Sequence, residues 1–180
     1  MLAVPYPAVA GVLARQGDNL AGKIVVDITN PLNFETSDSL TVPADSSATA
    51  EIADALPRSR VLKAFNTTFA GTVAAGQVGP LTTTVLVAGD DVEAKSTLMG
   101  VIIAGGIHAI DAGTLARARE LEALGFLQIT LAANEKVPWR GASGSSAEPS
   151  GLAPHRAMRR GTAGLRDCRV EGAPHRHRLG

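Results

Sequence analysis

The sequence has a single cysteine, Cys168, among 180 residues. One cysteine cannot build an intrachain disulfide framework or a cysteine metal cluster. Aromatic residues make up only 3% of the chain, against 45% hydrophobic residues overall. The core must therefore be built from Ala, Val, Leu and Ile, a composition that suits buried parallel strands and their covering helices. No apolar run approaches the ~18 residues needed to span a membrane. Met1 is followed by Leu2-Ala3-Val4-Pro5-Tyr6-Pro7, which lacks a basic n-region and is broken by proline, so no signal peptide is read there. These absences point to a cytoplasmic protein of one domain.

The formal net charge of zero hides two compositions. Residues 1–139 hold 9 Lys and Arg against 14 Asp and Glu, whereas residues 140–180 hold 8 Arg, no Lys and 3 acids. The second segment also carries 7 of the 19 glycines and 3 of the 4 histidines. Its large apolar residues are few: Leu152, Met158, Leu165, Val170 and Leu179. Burying them would not offset the entropy of ordering the segment. The sequence thus divides into a folded part, 1–139, and a basic, Gly/Arg-rich disordered tail, 140–180.

Along the folded part, strand-like and helix-like runs alternate. Leu2-Ala3-Val4 reads as the end of a strand, and Pro7 to Arg15 as a short helix with proline in its first turn. Lys23-Ile24-Val25-Val26-Asp27-Ile28 is a buried strand by its β-branched content. Residues 32–45 form an irregular connection, and Ser46 or Ser47 caps a helix that Pro57 stops. Arg60 to Ala64 and Thr83 to Ala88 are further strands, with a weak helix from Thr67 to Ala75 between them. Asp91 caps a helix ending at Gly105-Gly106, Ile107 to Asp111 is a last strand, and Thr114 caps a long helix to about Asn134. In that helix Leu121, Leu124 and Leu131 lie near one face, a face expected in a core or against another subunit. Gly125 inside the same helix is expected to allow a close contact, since glycine there costs about 1 kcal/mol against alanine. Strand–helix alternation at this spacing predicts an α/β fold with a parallel sheet and helices on both faces.

A sheet of this kind that binds a dinucleotide opens with a strand, a Gly-rich turn and a helix, whose N–H groups face the pyrophosphate. No G-x-G-x-x-G stands near the start; Gly11, Gly17 and Gly22 do not fit the spacing, and no strand precedes them. Gly141-Ala142-Ser143-Gly144 follows no strand and opens no helix.

Five motifs nevertheless occur in order: Leu2-Ala3-Val4-Pro5-Tyr6-Pro7, Val26-Asp27-Ile28-Thr29-Asn30-Pro31, Lys63-Ala64-Phe65-Asn66-Thr67, Val87-Ala88-Gly89-Asp90-Asp91, and Asp111 to Glu122. Together they resemble the NADPH-dependent reductases of coenzyme F420, the deazaflavin cofactor. The oxidoreductase domain of the STEAP metalloreductases is similar around the same motifs. The resemblance covers about residues 2–139. It implies a Rossmann-type domain that moves hydride between NADP(H) and coenzyme F420. It also implies a chain shortened at its start, whose phosphate-binding half of about 60 residues is lacking. The composition from Arg140 onward resembles a GC-rich reading frame after a shift, an unrelated tail. The expected architecture is accordingly an incomplete Rossmann-type parallel sheet followed by a disordered tail. The alternatives are a non-catalytic remnant or pseudogene product, and a flavin-dependent enzyme of the metalloreductase type.

The resemblance places Val4 and Pro5 beside ribose and nicotinamide, although a proline there also simply ends a strand. It lets Asn30, before Pro31, bond ribose or carboxamide groups; the plain alternative is a turn. Phe65, Asn66 and Thr67 fall where nicotinamide meets the deazaflavin or flavin, and Asn66 or Thr67 can equally cap a helix. No catalytic acid or base is assigned, because hydride transfer between two rings asks for alignment and dryness. His108, on an apolar strand, is read as structural. Arg117 and Arg119 either meet an anionic acceptor or pair on an exposed helix face with Glu120 and Glu122. His155, His175 and His177 make no metal site, since a third placed ligand is lacking. The basic tail has no aromatic residues for stacking, so no nucleic-acid partner is read. The expected partners are small-molecule cofactors and a second copy of the chain, through residues 114–134.

Overall fold

A computed structural model describes residues 1–140. The tail from residue 141, with Cys168, its histidines and its glycines, lies outside the described residues.

The elements run α1 (Tyr6–Gln16), β1 (Ile24–Asp27), α2 (Ala48–Ala55), β2 (Arg60–Ala64), α3 (Ala70–Ala75), β3 (Gln77–Val78), β4 (Leu81–Thr82), β5 (Thr84–Ala88), α4 (Val92–Ala104), β6 (His108–Gly113) and α5 (Ala118–Ala133). Four strands form one sheet in the order β1-β2-β5-β6, and β3 and β4 form a separate hairpin. Leu2 adds a bridge outside β1: its N–H donates to the Val26 carbonyl at 2.8 Å and its carbonyl accepts from Ile28.

Strand periodicity divides the core into two layers. Val25 and Val61 point to one face, where Val9, Ile52 and Leu56 of the α1 and α2 region meet them. Val26, Leu62 and Ala64 point to the other, against Ala94 and Ile102 of α4 and Val85 and Val87 of β5. Helices thus cover both faces, as a Rossmann-type sheet requires.

The pairs β1–β2 and β5–β6 are parallel, as expected, but β2 and β5 run antiparallel. The reason lies in the connection. The 19 residues that join the two strands exceed the dozen or so that a parallel crossover takes, but such a crossover is usually a full-length helix. Between β2 and β5 the chain instead makes the six-residue α3, stops it at Gly76 in the left-handed region (φ 68°), and turns through the β3–β4 hairpin.

Capping explains the helix starts. Ser47 Oγ accepts from the Ala50 N–H at 3.0 Å, and Asp91 Oδ1 accepts from the Ala94 N–H at 2.8 Å. Thr114 behaves otherwise. Its side chain makes no cap bond, a 3-10 turn spans Leu115–Arg117, and Asp90 Oδ1 takes the Leu115 N–H at 2.9 Å. Helix α5 therefore begins only at Ala118.

Of the two places expected for the leucine face, a core or another subunit, the core of this chain is not the one it takes. Leu121 is buried, but Leu124, Leu127 and Leu131 are exposed, and α5 turns Ala118, Glu122, Gly125 and Ala132 inward instead. Among the described residues no helix is long and apolar enough to cross a membrane.

Candidate functional site

The carboxyl ends of β1 and β2 lie side by side, because Asp27 stands in register with Lys63. In an open α/β sheet this rim is where ligands bind. Thr29-Asn30-Pro31 leaves β1 there and Phe65-Asn66-Thr67 leaves β2. The parallel Leu2–Asp27 bridge carries Val4-Pro5 out past the same edge.

The two asparagines close on each other. Asn30 Nδ2 donates to the Asn66 carbonyl at 3.0 Å, and Asn66 Nδ2 donates to Asn30 Oδ1 at 3.0 Å and to the Leu121 carbonyl at 2.8 Å. Phe65 makes this possible by adopting φ 63°, a region a bulky side chain seldom occupies. The turn presents the Asn66 backbone toward Asn30, and the Phe65 carbonyl accepts from the Thr68 N–H at 3.0 Å. Asn66 does not cap a helix; α3 starts at Ala70 and its N-cap position is Phe69. Pro31 is fully buried, Pro5 is exposed at the start of α1, and Val4, Asn30, Phe65 and Thr67 are half-buried.

Below this rim sits a buried charge cluster that no motif reading singled out. Lys63 Nζ donates to Asp27 Oδ2 at 2.9 Å, to Glu122 Oε1 at 2.9 Å and to the Thr29 carbonyl at 2.6 Å. All three protons of the ammonium are thereby used. Asp27 also accepts from the Thr29 N–H and the Thr49 hydroxyl. Glu122 accepts from the N–H groups of Ala48 and Thr49 at 2.9 and 3.2 Å, at the first turn of α2. A helix N-terminus favours a carboxylate, which offsets the second negative charge. One of the two readings of Arg117 and Arg119 put Glu122 on an exposed helix face; Glu122 is fully buried, and Arg117 pairs with Glu120, at 3.4 Å. The signal that could have revealed the cluster was a charged residue near the carboxyl end of each of two apolar strands, Asp27 and Lys63, which must be paired if buried.

Tyr6, next to Pro5, bonds through its hydroxyl to Glu51 of α2. Burial and that carboxylate, with Asp27 and Glu122 behind it, push the Tyr6 hydroxyl well above the ordinary phenol range. A cavity of about 520 Å3 lies between α1 and α2, bordered by Tyr6, Leu13, Glu51 and Ile52. A second, of about 430 Å3, lies between α5 and the loop around Leu40, with Arg119 and Phe126 on its wall.

His108 is exposed at the start of β6, where its N–H bonds the Thr83 carbonyl at 2.8 Å. Among the described residues no cluster of His, Cys, Asp and Glu could hold a metal ion.

Whether the rim suits a ring cofactor can be judged from its unmet hydrogen bonds. Thr29 Oγ1 and Asn66 Oδ1 are both buried without a partner, as is Thr72 Oγ1 in α3. Buried polar atoms are rarely left so. Two of the three stand at this rim, in residues whose hydroxyl and amide chemistry suits the polar groups of a nicotinamide ribose, so the residues fit such a group.

A helix-covered sheet with its polar groups gathered at the strand carboxyl ends defines a Rossmann-type domain. No family model matches the chain. Individual proteins do. Metalloreductase STEAP3 of Rattus norvegicus is 37% identical over 128 residues, covering 70% of this chain and 24% of that one. The F420-dependent NADP reductase of Methanocaldococcus jannaschii is 32% identical over 135 residues, covering 73% of this chain and 60% of that one. The crystal structure of a protein assigned as an F420 dependent NADP-reductase from Arthrobacter sp. FB24 superposes with a TM-score of 0.67 at 31% identity, covering 74% of this chain and 63% of that one. The hypothetical protein SMa0349 of Sinorhizobium meliloti follows with a TM-score of 0.56 at 28% identity, covering 64% of this chain and 56% of that one. The chain is similar to the F420-dependent NADP reductases over about three quarters of its length, and it spans less than two thirds of the length of each of these relatives.

Proposed function

We propose that this chain provides the nicotinamide side of the crevice in an oxidoreductase that transfers hydride between NADP(H) and coenzyme F420. The observation that carries this reading is the Asn30–Asn66 pair at the adjoining carboxyl ends of two parallel strands, with Thr29 Oγ1 and Asn66 Oδ1 left without partners beside it. NADP(H), when bound, supplies or receives the hydride that the deazaflavin gives or takes.

The residues of the chain align and shelter. Val4, Pro5, Asn30, Pro31, Phe65, Asn66 and Thr67 make up the wall of the site. The paired amides hold the rim rigid, which matters because hydride transfer depends on a near-attack geometry. Phe65 adds an apolar surface that helps keep water out. Residues 1–139 act as this one functional unit, and a second copy docks through residues 114–134, a reading supported by the exposed Leu124, Leu127 and Leu131.

No two glycines of the sequence stand two positions apart, so the chain itself contains no G-x-G-x-x-G turn to hold the pyrophosphate. The chain alone is therefore expected to bind NADPH very weakly. Fluorescence titration of NADPH against the purified chain tests this, and micromolar affinity would sink it. Turnover tests the reaction itself: NADPH oxidation is followed with F420 and, separately, with free flavin. The second reading is a flavin-dependent enzyme of the metalloreductase type, and the 37% identity to Metalloreductase STEAP3 supports its metalloreductase part. Oxidation with flavin but not F420 would select it, and none with either would mark a non-catalytic remnant.

A further inference from the structure

We infer that Lys63 and Glu122 are positioning residues for the Asn66 side-chain amide, so that one buried ammonium sets the geometry of the rim through helix α5. This rests on the functional reading above for its purpose, but not for its evidence.

The evidence is an arrangement of neighbours. Asn66 Nδ2 donates to two acceptors, Asn30 Oδ1 and the Leu121 carbonyl. Each acceptor stands one residue from a group that Lys63 Nζ holds. Thr29, before Asn30, gives its carbonyl to Lys63 at 2.6 Å; Glu122, after Leu121, gives its carboxylate at 2.9 Å. The ammonium therefore fixes both the β1 end and the α5 backbone relative to β2, from which Asn66 itself emerges. Glu122 anchors α5 a second time, on the first-turn N–H groups of α2. Gly125, one turn further along α5, leaves just enough room for the Asn30 and Asn66 amides. Burial makes this arrangement stiff. Lys63, Asp27 and Glu122 are all shut off from solvent, so no water competes for the ammonium.

A cluster with a merely structural role would loosen the whole sheet when broken. A positioning role predicts a local effect: the Asn66 amide responds before the core does.

The test is hydrogen exchange by NMR on the 15N-labelled chain, with no cofactor present. In Glu122→Ala the exchange protection of the Asn66 side-chain amide should fall by about tenfold or more, while the backbone amides of Val85 and Val87 stay within about twofold of their original protection. Glu122→Gln keeps an oxygen acceptor for Lys63 and should restore most of the protection. Val101→Ala, on the exposed face of α4, should change neither reading. Should Glu122→Ala fail to fold, Glu122→Asp carries the same test, since it keeps the charge but is too short to span from Lys63 to both N–H groups of α2. Unchanged Asn66 protection in the altered protein overturns the inference, and so does a loss no larger than that at Val85 and Val87. In a preparation that turns over, Glu122→Ala should lower kcat severalfold at an unchanged KM for NADPH, and Glu122→Gln should recover most of it. If no turnover is found with any acceptor, the hydride reading fails while the exchange result stands.

Discussion

Gly125 lies directly against Asn30: a methyl group at Gly125 would collide with Asn30 Oδ1 and stand 2.9 Å from the Asn66 carbonyl oxygen. Both neighbours are locked in hydrogen bonds and cannot easily give way. Gly125→Ala should therefore destabilise the fold by about 1–3 kcal/mol, overriding the gain of up to about 1 kcal/mol in helix propensity. Gly100→Ala in α4, where nothing stands within 4 Å, should show only the gain. Urea denaturation of the two variants in parallel measures the difference. Equal stabilisation of both would mean that α5 does not press on the rim.

Removing the ammonium leaves two buried carboxylates facing each other. Lys63→Met should cost about 3–5 kcal/mol, the range for breaking a buried ion pair. Arg58→Ala removes the Asp18 partner from a pair whose side chains are 69% and 98% exposed, and should change stability by less than about 1 kcal/mol. Comparing the two unfolding midpoints separates charges that organise the fold from charges that only decorate it.

Two helix starts carry a side-chain cap, Ser47 Oγ at α2 beside the Glu122 carboxylate, and Asp91 Oδ1 at α4. Ser47→Ala and Asp91→Ala should each destabilise by about 1 kcal/mol. Thr114→Ala should be close to neutral, because its hydroxyl caps nothing and Asp90 takes the Leu115 N–H instead. Thermal melts of the three variants check the ranking, and a Thr114 effect equal to the others would contradict the geometry.

Asp111 accepts from Lys95 Nζ at 2.8 Å and from the Gly113 N–H at 2.8 Å, and these bonds hold its carboxyl below the ordinary 3.8. A lowered value in the fold means that the associated stability is present above pH 3.8 and is lost as pH falls below it. The side chain is 49% exposed, so the effect on stability is small. In an NMR titration Lys95→Met should move the Asp111 midpoint upward, while the Gly113 bond keeps it from returning fully. An unchanged midpoint would assign the shift to the backbone alone.

Tyr6 is the only tyrosine of the sequence, so tyrosinate absorbance reports on it alone. Its hydroxyl is raised above the ordinary 10.0, by burial first and by Glu51 second. The folded chain should hold that proton beyond pH 10.0, with the matching stability lost as pH climbs further. Alkaline difference spectra should show Tyr6 ionising above the ordinary phenol range. Glu51→Gln should lower its midpoint.

Much of the layout was legible along the chain. Strands β1 and β2, helices α2 and α4, the Ser47 and Asp91 caps and the close approach at Gly125 all follow from local chemistry. Apolar period, an oxygen before a helix, and a glycine at a helix end act over a few residues and leave a readable trace. The rim was legible only through its motifs: Asn30-Pro31 and Phe65-Asn66-Thr67 stood out as polar breaks after apolar strands. Their mutual hydrogen bonds did not, since 36 residues separate Asn30 from Asn66. The short α3 and the Gly79-Pro80 turn could have warned that β5 returns antiparallel, but alternation of elements does not encode strand direction.

The sequence by itself determined the α/β alternation, the two-sided core and the family resemblance, because side-chain period and motif order are properties of the chain. Tertiary structure alone decided which charges are buried. Glu122 follows Leu121 in a helix whose leucines suggested an inward face, yet packing turns Glu122 in and Leu124, Leu127 and Leu131 out. A carboxylate can be shut away from water only where an ammonium and helix N–H groups already wait for it. That place exists only once β1, β2, α2 and α5 have come together around Lys63.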